Sequence, residues 1–200
     1  FYSAAMGVAV EEGHFTSVTQ PASEVLTEFV GTDKEAITLE QILRMRSGLA
    51  SNTNVFFSGD QTAHALANTL TSEPGSRFDY SNANSQLFEP LLARVTGMDA
   101  HSYLSEKILR PIGIDPANVG MWLDETGTQP MTYCCLDMRP DDFLRFGLLF
   151  ARDGRWQDTQ VVPADYVSAS LNPIGFYGYQ WWAMNENYFD EPVRGDIKSA

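Results

Sequence analysis

Cysteine is nearly absent from this chain: there are two in 200 residues, and Cys134 and Cys135 are neighbours. With no separated pair, no framework of cross-links can be drawn, and cysteine use leaves the redox compartment open. A bond between adjacent residues closes a strained small ring, so the sequence predicts two free, partly buried thiols. Histidine is equally sparse. His14, His64 and His101 stand alone, with no second His or Cys at i+3 or i+4, so neither a metal nor another cofactor is expected. Basic residues are outnumbered, 13 Lys and Arg against 26 Asp and Glu, and the net charge of −13 would repel a phosphate backbone. Nucleic acid is therefore excluded as a partner. The longest apolar runs, at 146–151 and 181–184, fall far short of the ~20 residues that span a bilayer, so no transmembrane segment is expected.

What is present is the composition of an ordinary folded domain, 44% apolar and 20% charged. No repeat, low-complexity tract or Gly/Ser linker divides it. The opening residues carry no initiator Met, basic region or cleavage signature and so show no targeting signal. They read as an apolar helix stopped by Gly13 and suggest a piece of a longer protein.

Helix punctuation recurs along the chain. Thr38-Leu39-Glu40-Gln41 is a capping box, followed by Ile42, Leu43 and Met45, with Gly48 as the stop. Asp60 caps a helix predicted to reach Leu70. Pro74-Gly75 marks a turn, residues 78–80 an extended piece, and residues 84–96 a helix that Pro90 should kink before Gly97 ends it. Asp99 caps the next helix. Short strands are predicted at 119–123 and 131–134 around a turn at 125–127, then helices from Pro140 and Pro163, then an aromatic strand at 177–184.

Common catalytic layouts are missing. There is no Gly-x-Ser-x-Gly elbow and no glycine-rich phosphate loop after a strand. Carboxylate pairs such as Glu11-Glu12 and Asp141-Asp142 fall at helix ends, where solvation or the helix dipole accounts for them. What remains is Tyr80-Ser81-Asn82, placed where an extended segment turns into a helix. Taken alone, Tyr80 could be a half-buried aromatic at a strand end, and Asn82 could be a helix cap.

Its surroundings carry more. The phrase from Pro74 through Tyr80-Ser81-Asn82-Ala83-Asn84 to Leu87, with Val95-Thr96-Gly97 and Leu109-Arg110-Pro111-Ile112-Gly113, resembles the serine β-lactamase-like hydrolases. That superfamily includes class C β-lactamases, D-Ala-D-Ala carboxypeptidases, related esterases and 6-aminohexanoate-dimer hydrolases. Ser47-Gly48-Leu49, Asp142-Phe143-Leu144-Arg145-Phe146-Gly147, Gly154-Arg155-Trp156 and Tyr177-Gly178-Tyr179-Gln180-Trp181-Trp182 resemble further landmarks, in colinear order over residues 1–182.

The resemblance implies an α+β, β-lactamase/transpeptidase-like fold, represented mainly by its helical region with some flanking strands. Residues 1–200 would form one partial domain, truncated at both ends. It also implies an acyl-enzyme route, in which a Ser-x-x-Lys motif supplies the nucleophile. No such motif lies in the chain, since Lys34, Lys107 and Lys198 follow Gly31, Leu104 and Gly195 at the required spacing. By the family pattern the lysine would stand two residues, and the serine five, before Phe1. The chain alone would then be inactive. The family's third box, Lys-Thr-Gly or His-x-Gly, is expected beyond its end.

In that frame Tyr80 would carry the proton between nucleophile and leaving group, and Asn82 would hydrogen-bond the lysine and a substrate amide. A phenol does this at neutral pH if ammonium groups favour the phenolate or if it relays a proton it regains. Tyr177, Tyr179, Trp181 and Trp182 would line the substrate cleft, with packing on the sheet as the alternative. The implied partner is a small ester, amide or β-lactam. The competing reading is a noncatalytic binding or scaffold domain on the same fold. Family habit points to the periplasm or to secretion, and oligomeric state is not readable.

Overall fold

A computed structural model describes residues 1–51 and 54–183, so Met184 of the expected last strand lies outside the described residues. Helix α1 (Tyr2–Glu11) is buried along nearly its whole length, with Ala4, Ala5, Met6 and Ala9 at 1% exposure or less. Such a helix reads apolar all round because it has no solvent face. Gly7 lies at its centre because the Tyr166 ring occupies the space a Cβ would need. The Tyr166 hydroxyl donates to the Ser3 carbonyl at 2.7 Å. Gly13, at φ 78°, ends the segment as expected.

Helix α2 (Leu39–Leu43) starts with both hydrogen bonds of the Thr38/Gln41 capping box. Helix α3 (Gln61–Leu66) starts at Asp60, whose carboxylate accepts from the Ala63 amide at 2.8 Å. It stops short of the expected Leu70 because residues 69–72 turn back along residues 48–50, where Ala50 N donates to Thr69 O and Thr71 N to Gly48 O.

The expected helix at 84–96 is two helices, α4 (Asn82–Gln86) and α5 (Phe88–Thr96), separated at Leu87. Pro90 has no N–H to donate back to Gln86, so the break falls one turn before the proline rather than as a bend at it. Gly97, at φ 72°, closes α5. Helix α6 (Ala100–Leu104), capped by Asp99, runs into a π turn over Ser105–Leu109. Leu87, Phe88, Leu91, Leu92, Tyr103 and Leu104 join α1 in the main core.

Sheet content among the described residues is two antiparallel ribbons. β1 (Gly120–Met121) pairs with β2 (Leu136–Asp137), and β3 (Arg155–Trp156) with β4 (Thr159–Gln160). The strand expected at 131–134 is thus displaced to 136–137, leaving one bridge between Leu123 and Pro130. The physical reason is that Thr132 is drawn instead onto α4, its amide donating to Gln86 Oε1 and its hydroxyl to Ser85 O. Helix α7 (Pro140–Ala151) follows with proline at its first position, and α8 (Ala164–Leu171) packs Tyr166 and Val167 inward.

Cys134 and Cys135 are not free thiols; they are bonded to each other, with 3.7 Å between their Cα atoms. The ring closes because Cys135 adopts the left-handed region at φ 70°, a conformation that residue type alone does not suggest.

Candidate active site at the Tyr80 turn

Residues 77–81 run extended into α4, and their backbone is tied to the neighbouring 45–51 segment. Asp79 N donates to Met45 O at 2.9 Å, the Ser51 hydroxyl to Tyr80 O at 2.6 Å, and the Ser81 hydroxyl to Ala50 O at 3.1 Å. Ser81 is also the N-cap of α4, accepting from Asn84 N. The cap belongs to the serine, so Asn82 is not spent on capping. It occupies the first helical position, half-buried, with no hydrogen bond from its carboxamide to the described residues.

Beneath it, Asn84 is 1% exposed and fully engaged. Its Oδ1 accepts from Ser47 Oγ at 2.6 Å and its Nδ2 donates to Ile42 O at 2.7 Å. Breaking such a buried network leaves desolvated polar atoms, at a cost of about 1–3 kcal/mol each, so the start of α4 is held rigidly against α2.

Tyr80 is 46% exposed, and its hydroxyl makes no hydrogen bond to the described residues. Its ring stands edge-on to Tyr177 at 6.2 Å and lies tilted over Trp182 at 5.5 Å. Phe78 and Phe176 complete the group, Phe176 stacking on Trp182 with 8° between planes and Phe78 touching Phe176, Tyr177 and Trp182. Burial, and then the neighbouring Tyr80, push the Tyr177 phenol well above its ordinary range. It stays protonated at any physiological pH.

Within the expected strand at 177–184, residues 177–182 form a tight turn. Gly178 N donates to Trp181 O and Gln180 N to Gly178 O, Gln180 sits at φ 62°, and a bridge joins Tyr177 to Trp182. Tyr177 therefore joins Tyr80, whereas Tyr179 and Trp181 pack elsewhere. The Tyr179 ring, 3% exposed, packs on Tyr166 and under the Arg44 guanidinium, and its hydroxyl donates to Glu40 at 2.9 Å. Burial, then this bond, pushes its pKa up to about 12. Trp181 packs against Phe146 and Phe150 of α7.

Of the six candidate residues, the structure brings Tyr80, Tyr177 and Trp182 into contact, sets Asn82 two residues after Tyr80 at the head of α4, buries Tyr179 in the core and packs Trp181 against it. Phe78 and Phe176 were not among the six. The aromatic run itself was the available signal, but a strand reading hides the pairing of Tyr177 with Trp182.

A cavity of about 290 Å³ lies beside α1 and is lined by Phe1, Tyr2, Ser3, Tyr133, the Cys134–Cys135 bond and Gln180, among others. Gln180 links it to the Tyr80 turn, because its Oε1 accepts from Ser85 Oγ on α4 at 3.0 Å. Behind it, His101 bridges Tyr2 and Trp122. The Trp122 carbonyl can only accept, so Nε2 carries the proton at 2.8 Å, and Nδ1 accepts from the Tyr2 hydroxyl at 2.7 Å. Burial holds His101 below its usual pKa, in keeping with a neutral ring. No group of three or more His, Cys, Asp or Glu side chains arranged to hold a metal occurs among the described residues.

The β-lactamase family profile matches residues 1–188, and the chain belongs to that family. Solved structures agree on the fold. A Bacillus anthracis protein provisionally named a 6-aminohexanoate-dimer hydrolase shares 19% identity at a TM-score of 0.78, over 92% of this chain and 57% of its own. A penicillin-binding protein homologue from Caulobacter crescentus gives 17% and 0.73, over 96% of this chain and 66% of its own. A D-stereospecific amidohydrolase from Streptomyces gives 16% and 0.68, over 90% and 66%. At these identities the likeness establishes a β-lactamase/transpeptidase-like fold, and this chain spans two thirds or less of each neighbour's length. A search of curated proteins returns no match.

Proposed function

We propose that this chain is the helical portion of a serine hydrolase that opens an ester or amide, β-lactams included, through an acyl-enzyme. The observation that carries the reading is Tyr80: exposed, and with a hydroxyl that makes no hydrogen bond to the described residues, it stands on a turn anchored to the 45–51 segment at three points, in a chain that belongs to the β-lactamase family. A group that must take and return a proton gains from fixed position and an open hydrogen-bonding shell.

On this reading Tyr80 carries the proton between a serine hydroxyl and the leaving group, while Asn82 presents its carboxamide to the lysine partner and to the substrate. The nucleophile and its lysine would come from a Ser-x-x-Lys motif N-terminal to Phe1. Attack on the carbonyl gives an ester on the serine with loss of the alcohol or amine, and water then releases the acid. The wall of Phe78, Phe176, Tyr177 and Trp182 beside Tyr80 favours a substrate with an apolar group next to the scissile bond.

The test uses the protein extended upstream of Phe1. A fluorophosphonate should label one serine, and Tyr80→Phe should slow that acylation by about 10²–10⁴-fold with the fold intact. Absence of labelling, or of Ser-x-x-Lys at the expected spacing, would sink the hydrolase reading and leave a binding domain on the same fold.

A further inference from the structure

Cys134 and Cys135 play no part in the proposed hydrolysis, yet their bond forms part of the wall of the cavity beside α1. A disulfide stabilises chiefly by closing a loop in the unfolded chain, and a loop between neighbours contains almost no chain. This bond therefore adds little to stability. It also holds Cys135 at φ 70°, a region that residues with a Cβ enter only at a cost in backbone strain. Both residues are partly exposed, so a small molecule entering the cavity can reach sulfur. A bond that contributes little, holds backbone strain and faces open space is labile rather than structural.

Its surroundings give the bond something to move. The Cys135 carbonyl accepts from Trp122 N at 3.4 Å at the edge of the β1/β2 ribbon. Three residues earlier, Thr132 is hydrogen-bonded to Ser85 and Gln86 of α4. Gln180, another left-handed residue, shares the cavity wall and holds Ser85.

We propose that Cys134–Cys135 is a two-electron redox site, open to dithiol reductants through this cavity, and that its reduced form is a vicinal dithiol able to chelate a thiophilic trivalent arsenical. A thiolate of the dithiol attacks one sulfur, forming a mixed disulfide and releasing the other cysteine as a thiolate. The second thiol of the reductant then displaces the first cysteine, leaving two protein thiols and one oxidised reductant. The released Cys135 relaxes from the left-handed region, and the 131–137 segment shifts against Trp122. This inference is independent of the hydrolase reading.

The test is thiol titration of the 200-residue chain, oxidised and without denaturant. Thiol counts should go from zero to two on adding dithiothreitol, with helical circular dichroism unchanged and tryptophan emission altered. The reduced protein should then bind one phenylarsine oxide per chain, and the oxidised protein none. Cys134→Ser cannot close the ring, so its emission should not respond to the dithiol. The proposal is overturned if thiols titrate before reduction, if reduction requires denaturant, if no arsenical binds after it, or if Cys134→Ser responds as the parent does.

Discussion

The two faces of the 176–182 turn use the same residue types for opposite ends. On one, Trp181 is sandwiched against Phe146 and Phe150, and Tyr179 is buried with its hydroxyl committed to Glu40. On the other, Trp182 is 47% exposed and, with Phe176 and Tyr177, forms a shelf against Tyr80. Adjacent tryptophans thus have separate surroundings, one packed on α7 and one beside the Tyr80 turn. The difference shows that the left-handed Gln180, rather than strand alternation, decides which aromatics reach Tyr80.

The turn itself should be the most sensitive point of the comparison. Gly178 passes so close to α8 that a Cβ would collide with the Ser170 carbonyl, which accepts from Tyr179 N. Gly178→Ala should destabilise by about 3 kcal/mol or more and disperse both faces together, measured by denaturant unfolding and near-ultraviolet dichroism. Trp181→Ala should cost about 3 kcal/mol through the void it leaves beside Phe146 and Phe150. If the two substitutions at 181 and 182 cost the same, the division between faces is wrong.

Two buried groups, on α5 and α6, give a smaller, pH-dependent effect. Glu89, 4% exposed, accepts from Ala100 N, and burial raises its pKa to about 7. Its folded value lies above its unfolded one, so its favourable contribution is complete below about pH 4.5 and is lost as pH rises through about 7. His101 has the opposite sign: burial lowers its pKa, so stability falls as pH drops below the ordinary histidine value of about 6.5. The two slopes oppose each other just below about pH 6.5. Glu89→Gln should stabilise the protein at pH 8, by on the order of 2 kcal/mol, and expose the His101 slope as a fall in stability below about pH 6.5. A profile unchanged by the substitution would place both groups outside the linkage. Trp182→Ala should be the mildest change, under about 1 kcal/mol in stability, and should act on the apolar wall beside Tyr80, read as a rise in KM for aryl esters in the extended protein.

Much of this architecture was legible in local chemistry. Thr38/Gln41, Asp60 and Asp99 cap helices because a short polar side chain before an apolar stripe satisfies first-turn amides wherever it occurs. Gly13, Gly48, Gly97 and Gly154 all fall in the left-handed region for an equally local reason. Tyr80-Ser81-Asn82 was legible as a junction of extended chain and helix, though Ser81 rather than Asn82 takes the cap. Less legible were the early end of α3 and the shift of β2. Each follows from partners distant in the chain: Gly48 for Thr71, and Ser85 and Gln86 for Thr132.

The sequence by itself determined the polar caps and glycine stops of helices, the apolar residues that bury α1 and α5, and the family to which the chain belongs, because these depend on neighbours a few residues away or on order along the chain. Only the tertiary structure decided that Cys134 and Cys135 join, that Trp182 rather than Trp181 stands beside Tyr80, and that the Asn82 side chain is uncommitted among the described residues. Those outcomes depend on side-chain-bearing residues forced into left-handed backbone and on hydrogen bonds between segments far apart, and neither leaves a periodic trace in the order of amino acids.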